Sequence, residues 1–200
     1  MKQTTSQKRT GGRSARVREA VIQAALEELT TKGYEQFSIN NVARCADVHE
    51  TSIYRRWGTR DGLILDTLHA AHAHHPAPDS GSLYGDLCQL LMNSCNWLKS
   101  PLGRSLMQFA ASVHPAHPSY AVMKELWRHR TPALEAIFTR AVERGEWQAN
   151  VPFRLRLDAM LGAVVWRVSV TQDEVTESQI QELVSILCRD GLVDSRSEAG

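Results

Sequence analysis

With 200 residues, 42% of them hydrophobic and 22% charged, the chain has the make-up of a soluble globular protein and room for one compact domain or two small ones. No run approaches the roughly 18 to 20 uncharged apolar residues of a membrane helix, and the first residues lack a secretory h-region, so the expected location is the cytoplasm, with no membrane partner. The net charge of +1 hides an asymmetry: residues 1–62 carry 11 Lys/Arg against 7 Asp/Glu, and residues 63–200 carry 12 against 15.

Residues 1–16 are expected to form a flexible basic arm. Lys2, Lys8, Arg9, Arg13 and Arg16 stand there without an acid, among Gly, Ser, Thr and Gln. Such a segment cannot bury enough apolar surface to order itself, and its charge suits either an arm along phosphates or a merely solvated tail. Helical spacing begins in "REAVIQAALEELTTKG", where Ile22, Ala25, Leu26 and Leu29 share a face and Gly33 sits at the cap position. Ser38 can cap a short second helix, "INNVARCA", with Ile39, Val42 and Ala46 inward and Ala43 small enough for a close helix approach. Asp47 tolerates the positive φ of a tight turn. In the third helix, "HETSIYRRW", Ile53 and Trp57 face inward while Thr51, Ser52, Tyr54 and Arg55 face out. Two short helices and a turn, braced by a longer helix, make a helix-turn-helix.

Thr59 is expected to cap a fourth helix with Asp61 in its first turn and Leu63, Ile64, Leu65 and Leu68 as apolar positions. "HAAHAHHPAPDSG" ends it and is the best internal boundary, so residues 17–75 read as one domain and 82–192 as another, with 193–200 a tail. Six further helix-sized amphipathic segments follow. Thr131-Pro132 has the look of an N-cap with proline after it, which predicts a break or sharp kink. The fold class is therefore all-α.

The segments "VIQAALEEL", "KGYEQFSINNVARCADV", "SIYRRW" and "GTRDGLILDTL", in this order and spacing, resemble the DNA-binding domain of the tetracycline-repressor (TetR) family of bacterial transcription regulators. "RAVERGEW" and "LDAMLGAVVWRVSVT" resemble one branch of its C-terminal half. The resemblance implies a homodimer on an inverted-repeat, double-stranded DNA operator, released by a small-molecule effector. It carries Ser38, Tyr54 and Arg60 to phosphates, and Thr51 and Ser52, with Glu50 or Arg55, to base edges. Arg56 and the arm's Arg13 and Arg16 complete the DNA-facing set. Where the family commonly has glycine, serine and lysine, this chain has Asp47, His49 and Glu50. His49 is a poorer helix cap that could contact DNA when protonated. Glu50 gains about 0.3–1 kcal/mol from the helix dipole, or accepts from a cytosine amine.

By the same resemblance, Met92, Trp97, Met107, Phe109, Tyr120, Met123, Trp127, Phe138 and Trp166 are candidates for an effector pocket, with His114, His117 or Arg104 as polar anchors. Core packing is the plainer reading of most of them. Leu157, Leu161, Val164, Val165, Val168, Ile180, Leu183, Val184 and Leu187 are candidates for a dimer interface, which core packing within one subunit would also explain. His69, His72, His74 and His75 offer i, i+3 pairs suited to zinc or nickel, without a thiolate or carboxylate at clear ligand spacing; solvated histidines, with no metal or cofactor, are expected. A metal-sensing regulator or an activator on the same scaffold is the alternative. No phosphate loop, nucleophile elbow or H-E-x-x-H motif supports an enzyme. The four cysteines are expected to be reduced and mostly buried; within one helix Cys88 and Cys95 would stand about 10 Å apart, beyond disulfide reach.

Overall fold

The computed structural model describes residues 11–73, 76–112, 114, 116 and 120–192, with the backbone alone described at Gly11, Arg13, His72, Ala73, Ser112, Met123 and His129. Two compact units divide the chain at Ala73 and His74. Among the described residues every regular element is helical, apart from one antiparallel bridge between Trp147 and Leu192.

The first unit comprises α1 (Gly11–Lys32), α2 (Ile39–Cys45), α3 (Glu50–Trp57) and α4 (Arg60–Ala73). Its core gathers Val21, Ala25 and Leu29 from α1, Ile39, Val42 and Ala43 from α2, Ile53 from α3, and Leu63, Ile64 and Leu68 from α4. The buried stripe of α1 runs through Val21, Ala24, Ala25 and Leu29, and Ile22 and Leu26 are only half-buried at its flank. The expected face is thus rotated by about one residue, because α2 and α4 both pack on α1 and widen its buried side.

Helices as short as α2 and α3 are marginal by themselves, so their ends and joints decide whether they form. The Ser38 hydroxyl accepts from the Asn41 N–H at 3.4 Å, and the Thr59 hydroxyl accepts from Gly62 N–H at 2.9 Å. Asp47 has φ 52 in the turn between α2 and α3, as its residue type predicts, and Gly33 (φ 77) caps α1 by donating to the Leu29 carbonyl. Burying Ile53 contributes about 1.5–3 kcal/mol, a large share of what seats α3.

The helix α1 begins at Gly11, so Arg13 and Arg16 stand on its first turns and not on a flexible arm extending to residue 16. The extra turns are held from outside: Arg56 on α3 donates to the Ser14 carbonyl and hydroxyl at 3.1 and 3.2 Å.

The second unit is built on α5 (Leu83–Lys99), which packs against α6 (Pro101–Ser112), α7 (Tyr120–Glu143), α8 (Arg154–Val165) and α9 (Glu177–Cys188). Leu87, Leu91 and Cys95 of α5 meet Ile137 and Phe138, Leu157 and Met160, and Ile180 and Val184 in one continuous core. Thr176 and Gln179 form a reciprocal capping box at the start of α9.

Two features differ from expectation. Helix α7 runs unbroken through Pro132, where the Thr131 hydroxyl donates to the Trp127 carbonyl at 2.9 Å instead of capping a new helix. The missing proline N–H is tolerated because Pro132 and Arg128 are both exposed, leaving the unclaimed carbonyl to water. Beyond Val165 the helix widens into a π-helical segment, Trp166–Thr171, ended by Gln172 at φ 58. All four cysteines are free; Cys95 and Cys188 are buried, while Cys45 is exposed.

Candidate nucleic-acid interface

Helix α3 presents Thr51, Tyr54 and Arg55 outward, with Ser52 half-buried, while Ile53 and Trp57 turn back to the core. The helix is locked from below by a shared carboxylate. Asp66 of α4 accepts the Trp57 indole N–H at 2.8 Å on one oxygen and the Arg18 guanidinium at 2.7 Å on the other. One side chain therefore joins α1, α3 and α4. A second joint, Asn41 to Glu28 at 2.9 Å, ties α2 to α1. Neither joint is legible from spacing, because each spans an interval set only by the folded chain.

Apart from the half-buried Glu50 and Ser52, the expected DNA-facing residues divide into three groups. Arg16, His49, Thr51, Tyr54 and Arg55 are exposed, and Tyr54 keeps 48% of its surface accessible. Ser38, Arg56 and Arg60 are engaged within the unit. Ser38 is half-buried as the cap of α2. Arg56 holds Ser14 and lies 5.6 Å over the Trp57 ring. Arg60 was expected at a phosphate, but its guanidinium donates to the Phe37 and Tyr34 carbonyls and to Asp61, and lies 4.6 Å over the Tyr34 ring. A planar guanidinium has the donors and the face to close the end of α1 in this way, and its half-burial follows from that task. The side chain of Arg13 lies outside the described residues.

The two atypical residues also find places. His49 occupies the N-cap position of α3 with extended backbone (φ −77, ψ 142), and its side chain makes no capping bond. Glu50, half-buried in the first turn, accepts from the Asn40 amide of α2 at 2.7 Å. The favourable dipole environment expected for Glu50 is present, and Asn40 is a partner that the sequence did not announce.

In the second unit, Phe138 is 1% exposed, stacked on Phe153 at 4.5 Å between ring centroids and edge-on to Trp147 at 5.3 Å. It packs within the core of the second unit. Phe109 is buried; Met92, Trp97 and Met107 are half-buried against the core; Tyr120 is half-buried and Trp127 and Trp166 are exposed. His69 is half-buried, while the side chain of His72, and His74, His75 and His117 entirely, lie outside the described residues, as does the side chain of Met123. His114 and Arg104 are exposed.

Of the candidate dimer residues, Leu157, Val164, Ile180 and Val184 are consumed by the subunit's own core. Leu161, Val165, Val168, Leu183 and Leu187 are half-buried at its margin. The outward apolar positions are Leu155, Trp166, Val170 and Ile186, between 54% and 79% exposed. An open groove of about 250 Å³ runs between the α8–π segment and α9, bordered by Ala163, Arg167, Gln179, Glu182 and Ile186.

At the start of α5 Asp86 is completely buried, accepting the Ser80 N–H at 2.5 Å, with the Arg140 and Arg144 guanidiniums 3.9 and 3.7 Å away. Arg144 in turn pairs with Glu146 at 2.6 Å, which holds that carboxyl below its ordinary range, and Glu146 accepts the Leu83 N–H at the start of α5. These charges anchor the end of α7 to the beginning of α5.

Comparison with known proteins supplies the family. Residues 21–67 match the model of bacterial regulatory proteins of the tetR family, and residues 77–187 match a tetracyclin repressor-like C-terminal domain. The HTH-type transcriptional regulator AqdR of Rhodococcus erythropolis is 30% identical over 176 residues, 88% of this chain and 85% of its own. The DNA-binding transcriptional repressor TetR of Mycobacteroides abscessus is 28% identical over 180 residues, covering 86% and 94%. The crystal structure of the TetR family transcription regulator SCO0332 superposes with a TM-score of 0.72 at 26% identity, over 89% of this chain and 99% of that one. A braced helix-turn-helix with an exposed third helix, joined to a helical second unit that matches the same family, identifies the chain as a DNA-binding transcriptional regulator belonging to the tetR family.

Proposed function

We propose that the protein is a cytoplasmic repressor that binds an inverted-repeat operator as a homodimer and is released by a small, largely apolar effector, without catalytic activity of its own. The observation that carries this reading is the outward row Thr51, Tyr54 and Arg55 on a helix whose inner face is locked by Ile53 and the Trp57–Asp66 bond. A rigid helix with a polar outer face suits the major groove. Thr51, Ser52, Arg55 and Glu50 read base edges; Tyr54, His49 and Arg16 hold phosphates, joined by Arg56 if it exchanges Ser14 for DNA. The M. abscessus relative, named as a repressor, supports the direction of regulation.

The partner copy covers the exposed apolar side of α8, the π segment and α9. Leu155, Trp166 and Ile186 are too large and too exposed for a surface left to water, and Arg167 and Glu182 stand on opposite sides of the same groove, a self-complementary arrangement that a two-fold contact can use. The effector binds against Met92, Trp97, Met107 and Phe109 of α5 and α6 together with Tyr120, Met123 and Trp127 of α7.

In-vitro selection of random duplex DNA at about physiological salt tests the reading. It should recover an inverted repeat with half-sites about one helical turn, roughly 34–36 Å, or a multiple of that apart. Recovery of no motif, or of a single half-site bound by a monomer in light scattering, would overturn it.

A further inference from the structure

The Asn40–Glu50 hydrogen bond joins an exposed residue of α2 to the first residue of α3, at the end of α3 that a major-groove reader directs to bases. We propose that Asn40 is a positioning residue for sequence specificity: its amide fixes the Glu50 carboxylate so that the other carboxylate oxygen accepts from the N4 amine of one cytosine in each half-site. This inference rests on the DNA-binding reading given above.

Three observations lead to it. A glutamate at the start of a recognition helix approaches a phosphate-lined groove, where an unrestrained carboxylate is repelled by the backbone and spread over many rotamers. Here one oxygen, Oε1, is taken up by Asn40 Nδ2 at 2.7 Å, within the range of a charge-assisted bond. Among the described residues Oε2 accepts no hydrogen bond, and Glu50 is only half-buried. The neighbouring His49 is exposed and makes no side-chain capping bond that would compete for the start of α3.

The tethered carboxylate can only accept. In the major groove cytosine offers a donor alone and adenine a donor beside its N7 acceptor, whereas guanine N7 and O6 and thymine O4 are acceptors that would face the carboxylate with like polarity. Asn40 needs no contact with DNA to influence this choice. It acts by keeping Glu50 from swinging away and accommodating other bases.

The test uses the full-length protein and the operator recovered by selection, with each of the four bases in turn at the position facing Glu50. The wild type should prefer cytosine by about 5- to 150-fold over guanine or thymine, the discrimination of one good base contact. Asn40→Ala should reduce that ratio several-fold while leaving affinity for the non-cognate operators nearly unchanged. Glu50→Ala should abolish the preference, and the Asn40→Ala/Glu50→Ala double variant should behave as Glu50→Ala alone. Glu50→Gln, which presents a donor as well as an acceptor, should move the preference toward adenine. Equal weakening of Asn40→Ala on all four operators would make Asn40 a phosphate contact and overturn the proposal, as would a cytosine preference that survives Asn40→Ala intact. Those outcomes leave the operator reading standing, whereas selection without any motif would remove both.

Discussion

The two units hold themselves together by different means. In the first, the seven- and eight-residue helices α2 and α3 meet α1 and α4 around a small apolar centre and are fixed at their joints by single polar side chains: Asp66 for α1, α3 and α4, Glu28 for α1 and α2, and Arg60 for the end of α1. In the second, helices of 12 to 24 residues share a continuous apolar core, and the buried charge is gathered at one place around Asp86. A helix of seven or eight residues cannot bury enough surface to choose its own orientation, so directional bonds must choose it. A helix of 17 residues such as α5 can rely on area.

That contrast can be broken most severely at Phe138. Phe138→Ala should cost about 3–5 kcal/mol, seen in urea unfolding as loss of protection in hydrogen exchange across α5, α7 and α8, with α1 to α4 unaffected. Comparable loss in both units would show that they do not fold independently. Next comes Gly191→Ala. A methyl group there would lie 2.0 Å from the Trp147 ring, so overpacking of about 1–3 kcal/mol is expected, again confined to the second unit.

A point tie in the first unit should yield less stability but more function. Asp66→Ala removes acceptors for Trp57 and Arg18, both partly solvent-exposed, so about 1 kcal/mol is expected. The same change should loosen α3 and reduce affinity for the selected operator more than unfolding alone accounts for. Unchanged DNA affinity would mean that Ile53 is sufficient to seat the helix.

The smallest effect is one of pH. Burial pushes the Cys188 thiol up to about 11 from its ordinary 9.0. The folded chain keeps this proton where the unfolded chain releases it, so the contribution is intact below pH 9 and is lost as the pH rises toward 11. Cys188→Ala should flatten the decline of stability over that interval in denaturant titrations. Thiol reagents should label exposed Cys45 well before Cys188.

Much of the first unit was legible because its signals are local. Ser38 before an apolar pair, Asp47 in a tight turn, Gly33 after α1 and Thr59 before α4 each act within a few residues, and each does so in the structure. The carbonyl partners of Arg60 were not legible, because the same residue type serves phosphates and carbonyls and the sequence does not say which is nearer. In the second unit a stripe such as Leu157, Val164, Ile180 and Val184 looks the same whether it faces its own core or a partner. Only the packing of α8 and α9 on α5 separated those residues from outward Leu155, Trp166 and Ile186.

By itself the sequence determined the all-helical class, the helix-turn-helix with its caps and turn, and the family, because periodicity, capping and turn chemistry are properties of neighbouring residues. Tertiary structure alone decided that α1 starts at Gly11, that α7 passes through Pro132, that the end of α8 becomes a π segment, and that Glu50 is held by Asn40. Each of these depends on a partner far along the chain or on exposure to water, and neither is written in local spacing.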